Sequence, residues 1–151
     1  MIGADESAGG PLLIPADLLR AMVEHCRREA PRECCGLLAG VATGVSAIYP
    51  LRNAAERTET RYDADPKDLI AAVQDLRAKG TEMLAIYHSH PKWRAEPSKA
   101  DLELNYYGPL PRIIVSLLDP EPDVRAWRLD PDSFEELPWR IAPVEPGAGA
   151  G

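Results

Sequence analysis

The segment EMLAIYHSH, residues 82–90, is a short apolar run that ends in two histidines one residue apart. Apolar runs of this length, bounded by turn residues, read as strands buried in a sheet. RIIVSLLD, at 112–119, reads as a second central strand. Between and before these runs the periodicity changes. Pro15 and Asp17 open a segment in which Leu18, Leu19, Met22, Val23 and Cys26 recur at helical spacing, ending near Ala30-Pro31. Pro66 opens another helix, carrying Leu69, Ile70, Val73 and Leu76 to a stop at Lys79-Gly80. CCGLLAG (34–40) and VSAIYPLRN (45–53) predict two adjacent strands joined by a turn, and RYDADP predicts an extended link. SKADLELNYY (98–107) predicts a short helix with Ser98 at its cap, and VRAWRLD and FEELPWRI predict closing edge-type strands. The expectation is an α/β fold with a central mixed sheet of about six strands flanked by helices.

Residues 1–10 and 142–151 are small, polar or Gly/Pro-rich and lack periodicity, so they are expected to be flexible tails around one domain at 11–141. A chain of 151 residues can bury a core without disulfides or a structural metal, so a metal here would be catalytic. No window has the roughly 18 to 20 apolar residues of a membrane span, and no secretory signal opens the chain, which points to the cytoplasm. Cys26, Cys34 and Cys35 fit neither a disulfide framework nor paired zinc hooks and read as buried apolar residues in a reducing compartment. A net charge of −7 with scattered basic residues argues against nucleic acid as a partner.

Side chains two apart on a strand share a face, so His88 and His90 can aim two imidazoles at one point while Ser89 faces away. Pro91 ends the strand, the loop PKWRAEP turns the chain, and Asp101, one turn into the following helix, can add a third ligand. Two imidazoles and a carboxylate suit zinc and leave a fourth position for water, whose pKa would fall from 15.7 toward about 7. Such a water needs a base, and the developing oxyanion needs a donor. Ser98 stands three residues before Asp101 for the second task, and Glu33, between the first helix and the first strand, is the candidate base.

His88-x-His90, seven residues, Ser98, two residues and Asp101, with Glu33 upstream before Cys-Gly-Leu-Leu, resembles the JAMM (MPN-plus) metalloprotease family, in particular its prokaryotic stand-alone branch. The resemblance runs over about residues 12–140 and holds at all five positions. It implies a cytidine-deaminase-like α/β sandwich holding one Zn2+ through His88, His90 and Asp101, with Glu33 as general acid/base and Ser98 assisting the oxyanion. It further implies a peptidase or isopeptidase acting on a ubiquitin-like or sulfur-carrier protein, and a homodimer is compatible with it. The short chain favours enzymes that release cysteine or a short extension after Gly-Gly.

Each assignment has a plainer competitor. Ser98 and Asp101 also form a helix-capping pattern, and Glu33 taken alone is a solvated carboxylate between elements. Trp93 and Arg94 either line the substrate cleft or cover the strand end, and His25 reads as a solvated residue. Cys34 and Cys35 have no orienting group that would make either a nucleophile. The rival functions are a non-catalytic MPN-type module binding a ubiquitin-like partner and a deaminase, whose Cys-x-x-Cys ligands are absent.

Overall fold

The computed structural model describes residues 10–103 and 109–143. In chain order the elements are β1 (Leu12–Ile14), α1 (Ala16–Glu29), β2 (Cys35–Val41), β3 (Gly44–Leu51), α2 (Pro66–Ala78), β4 (Glu82–His90), α3 (Lys99–Glu103), β5 (Arg112–Ser116), β6 (Asp123–Leu129), β7 (Phe134–Leu137) and β8 (Trp139–Ile141). The strands form one mixed sheet in the order β7-β6-β5-β4-β2-β3-β1-β8. β4 lies inside it, antiparallel to β2 and parallel to β5. This is the expected mixed α/β architecture with eight strands where about six were expected.

The two extra strands have a common origin. PLLI adds β1, which is parallel to both β3 and β8. FEELPWRI, read from sequence as one strand, breaks at Pro138 into β7 and β8, which occupy opposite edges of the sheet. Proline has no N–H for a ladder, so the break falls there. Consecutive Cα atoms are about 3.8 Å apart, so two strands separated by one residue must lie within about 8 Å of each other at that end. The sheet therefore curls until its edges meet. β6 (VRAWRLD) is consequently an inner strand, with β7 on its far side.

Strand alternation divides the interior between the two faces of the sheet. Leu38, Ala85, Tyr87, Ile113 and Val115 pack with Met22, Val23 and Cys26 of α1, whereas Cys35, Leu37, Ala39 and Ile86 pack with Ala72 and Leu76 of α2. A smaller cluster of Ala95, Ile114, Trp127 and Leu129 lies under the segment that leads to α3. Asp65 caps α2 by accepting from the amides of Lys67 and Asp68, with Pro66 in the first turn. All three cysteines are free and buried, as their sequence context indicated.

His25 departs from expectation. It is buried, and its Nδ1 lies 2.7 Å from the Tyr87 hydroxyl across the α1 core. The buried face of α1 is wider than its apolar stripe because the phenol gives a polar ring a partner. The helix expected over 98–107 is described as far as Glu103, and positions 104–107 lie outside the described residues. The expected tails likewise lie outside them, except Gly10, Ala142 and Pro143; the Ala142 amide donates to the Ile14 carbonyl at 2.8 Å.

Gly36 and Tyr87 are cross-strand partners, and a Cβ at position 36 would lie 2.3 Å from two ring atoms of the fully buried tyrosine. Gly36→Ala must displace that ring from a core close-packed around it. The substitution is expected to cost about 1–3 kcal/mol, read as a lower urea-unfolding midpoint; an unchanged midpoint would contradict this packing.

Candidate active site

β4 delivers both histidines to the face it shares with Ile86, while Ser89 on the opposite face accepts the Cys34 amide at 2.9 Å. α3 carries Asp101 over the end of that strand. Its start is fixed reciprocally: the Asp101 amide donates to Ser98 Oγ at 3.1 Å, and the Ser98 amide donates to Asp101 Oδ2 at 2.8 Å. This is a capping box closed by aspartate, so the capping reading of Ser98 holds. The cap aims the carboxylate. Asp101 Oδ1 lies 3.1 Å from His88 Nε2, and Oδ2 lies 3.1 Å from His90 Nε2. The two Nε2 atoms are 3.3 Å apart.

The hydrogen bonds around this cluster decide what it can hold. His90 Nδ1 lies 2.7 Å from the Arg94 carbonyl, which can only accept, so Nδ1 carries the proton. In the neutral ring Nε2 is then a bare lone pair facing a carboxylate oxygen and a second imidazole nitrogen. Three possible ligand atoms, one each from His88, His90 and Asp101, lie within 4.8 Å of one another, and all three side chains are buried. Only protons or a cation can relieve that arrangement, and a set of two nitrogens and one oxygen is the donor chemistry of a transition-metal site. The cluster fits a metal. With protons alone, burial works to raise the Asp101 carboxyl, but His88 and His90 hold it well below the usual carboxylate range. Burial likewise works to lower His90, and contact with Asp101 raises it.

Glu33 stands where the sequence placed it, between α1 and β2, but it is 7% exposed and not solvated. Its amide donates to the Thr58 carbonyl at 2.6 Å, and its carbonyl accepts from Asn53 Nδ2 at 2.9 Å, so the segment after β3 pins its backbone. Burial pushes its carboxyl up to about 8, opposed by the charge on His90 and reinforced by that on Asp101, which places it within electrostatic reach of the cluster. Its Oε1 and the Nδ1 of His88 are buried atoms without a hydrogen-bond partner among the described residues.

Three further groups touch the cluster. Tyr62 stacks on His88 with ring centroids 4.4 Å apart and planes 21° from parallel, which orients a ring whose Nδ1 has no bond to do so. Trp93 lies 5.5 Å from the His90 ring, and the Arg94 guanidinium sits 4.4 Å over Trp93. Trp93 thus packs beside the His90 ring, and the Arg94 backbone fixes that ring's orientation. Sequence reasoning missed Tyr62 and the Arg94 carbonyl. The only available signal was an aromatic in RYDADP, and a backbone carbonyl has none.

A family described as prokaryotic homologs of the JAB domain matches residues 15–130. The chain belongs to that family. Within it, the chain is 34% identical over 133 residues to the CysO-cysteine peptidase of Mycobacterium tuberculosis, covering 86% of this chain and 90% of that protein. It is 44% identical over 92 residues to a probable TtuB-protein conjugate cleaving protease of Thermus thermophilus, covering 61% of this chain and 62% of that protein, under two thirds of its length. The solution structure of a Desulfitobacterium hafniense protein superposes with a TM-score of 0.79 at 32% identity, covering 89% of this chain and 94% of that one. The JAB-domain match therefore spans the elements that carry Glu33, His88, His90, Ser98 and Asp101.

The raised Glu33 carboxyl has a stability consequence in chelator-treated protein. Unfolded glutamate ionises near its ordinary 4.5, whereas the native group stays protonated to about 8, so native stability falls as pH rises between those values. Glu33→Gln removes that loss. The thermal midpoint of the variant is expected to gain on wild type as pH rises from 5 to 8; a constant difference across that window would contradict the burial of this carboxyl.

Proposed function

We propose that the chain is a zinc-dependent peptidase or isopeptidase that hydrolyses the amide bond at the C-terminus of a ubiquitin-like or sulfur-carrier protein, releasing cysteine or a short extension after Gly-Gly. The observation that carries this reading is the convergence of three buried acceptors, His88, His90 and Asp101, with the buried carboxyl of Glu33 in electrostatic reach. The relatives support the substrate class, being a probable TtuB-protein conjugate cleaving protease and a CysO-cysteine peptidase. We take the folded unit to be residues 11–141, working in the cytoplasm, where its three thiols stay reduced.

His88, His90 and Asp101 would hold one zinc ion per chain. When bound, zinc supplies Lewis acidity, which makes water a nucleophile near neutral pH and polarises the scissile carbonyl. The protein groups divide the remaining work. Glu33 Oε1, which has no hydrogen bond to surrender and whose ionised form a cation held by the cluster would favour, accepts the proton of the attacking water and returns it to the leaving nitrogen. Ser98 Oγ accepts the Asp101 amide, which leaves its hydroxyl hydrogen available to the carbonyl oxygen as charge develops there. Tyr62 and the Arg94 carbonyl hold the two imidazoles in orientation, and burial of the cluster keeps its electrostatics strong.

Glu33→Gln and His88→Ala separate binding from chemistry. With a ubiquitin-fold carrier extended by cysteine after Gly-Gly, Glu33→Gln is expected to lose roughly 10²–10⁴-fold in turnover while keeping its zinc. His88→Ala is expected to lose both. Mass spectrometry of the carrier and metal analysis of the enzyme read the two outcomes; wild-type turnover by Glu33→Gln, or carrier binding without mass loss in wild type, would defeat the proposal.

A further inference from the structure

The loop between His90 and α3, residues 91–97, has neither helix nor strand of its own, yet three consecutive carbonyls in it are each met by a buried side chain of the sheet. Ser116 Oγ donates to the Trp93 carbonyl, His90 Nδ1 to the Arg94 carbonyl at 2.7 Å, and Trp127 Nε1 to the Ala95 carbonyl at 2.9 Å. The three donors come from β5, β4 and β6. We propose that Ser116 and Trp127 are positioning residues for His90: by holding the carbonyls on either side of Arg94, they keep the Arg94 carbonyl on His90 Nδ1 and the other ring nitrogen on the cluster. The inference rests on the zinc reading above, in which that nitrogen has an ion to hold.

Strand pairing puts these donors in one place. Ser116 is the cross-strand partner of His90 in the parallel β4–β5 ladder. Side chains two apart on a strand share a face, so Ser116 shares its face with Ile114 and Arg112, and Trp127 is the partner of Arg112 across the β5–β6 ladder. His90, Ser116 and Trp127 therefore project from the same face, and the loop lies across it over three neighbouring strands. Both flanking donors have a fixed direction. The indole N–H can only donate. The Ser116 hydroxyl accepts from the Leu118 amide at 3.2 Å, which leaves its hydrogen for the Trp93 carbonyl.

Burial gives these bonds their weight. Ser116 is 3% and Trp127 6% exposed, so removing either donor strands a carbonyl against the sheet. The ion pair within the loop does less to hold it, because Arg94 and Glu96 meet at 3.0 Å with side chains 58% and 42% exposed. A shift of the loop that carried the Arg94 carbonyl off His90 would have to break a flanking bond as well. Without that carbonyl the imidazole is free to turn its lone pair away from His88 and Asp101. Ala95 also stands three residues before Ser98, so the Trp127 bond guides the chain into α3 and toward Asp101.

The test compares Ser116→Thr with Ser116→Val, two side chains of the same shape of which only the first keeps the hydroxyl. It adds Trp127→Phe, which keeps an aromatic ring and loses the N–H. Loss of a direct partner of a ligating histidine costs about 10–100-fold in metal affinity, so donors one step further out are expected to cost roughly 3–10-fold. Zinc affinity, read by competition with a chelating dye, is expected to be weaker by that factor in Ser116→Val than in Ser116→Thr, and in Trp127→Phe than in wild type. Equal affinity within either pair would overturn the assignment. NMR of chelator-treated protein needs no zinc. The proton on His90 Nδ1 is expected to exchange with water about tenfold faster in Ser116→Val and Trp127→Phe than in Ser116→Thr and wild type, while the β4 backbone amides keep their protection. Equal exchange of that proton in all four proteins, or a matching loss of protection along β4, would overturn the assignment whatever zinc does. The expected exchange in a wild type that binds no zinc would support the positioning and reject only the zinc reading.

Discussion

The site depends on the pairing of one strand. β4 is held antiparallel to β2 and parallel to β5, with His88 opposite Cys35 on one side and Ile114 on the other. A slip of one residue would turn both imidazoles to the α1 face and bring Tyr87 and Ser89 to the metal side. The cores on either side oppose that slip. Tyr87 is locked by His25 from α1, Ser89 by the Cys34 amide, and Ile86 lies among the side chains under α2. Register, which fixes the fold, therefore also fixes the spacing and direction of the two imidazoles.

The position of Asp101 is set by local chemistry. α3 is described from Lys99 to Glu103, and the reciprocal Ser98–Asp101 cap fixes where it starts. The same carboxylate that closes the cap faces His88 and His90, so helix initiation and ligand placement are one event. What results is costly without a cation: three buried acceptors share a small volume, and a carboxyl at Glu33 is desolvated nearby. Metal binding would repay that cost, which couples the ion to the stability of this end of the sheet.

Much of this was legible in the sequence because it rests on short-range rules. Period two put His88 and His90 on one face, Ser98-x-x-Asp101 announced a cap, and Pro15 and Pro66 marked helix starts. The curled edges were harder to read. β1 and β8 have three residues each, too few for periodicity, and they pair in parallel across most of the chain. Pro138 was the available signal that FEELPWRI is two strands, and only the closed sheet explains where the halves go. His25 was misread because its partner, Tyr87, is 62 residues away. Glu33 is found between α1 and β2 as the sequence indicated, but the groups that pin its backbone, Asn53 and Thr58, arrive after two intervening strands.

X-ray absorption at the zinc edge of the zinc-loaded chain tests the ligand assignment most directly, because it separates the three converging side chains from the buried thiols of Cys34 and Cys35. The proposal predicts one zinc per chain with two imidazole nitrogens at about 2.0–2.1 Å, oxygen at about 2.0–2.2 Å and no sulfur. A sulfur shell at about 2.3 Å, or a chain that retains no zinc, would contradict it.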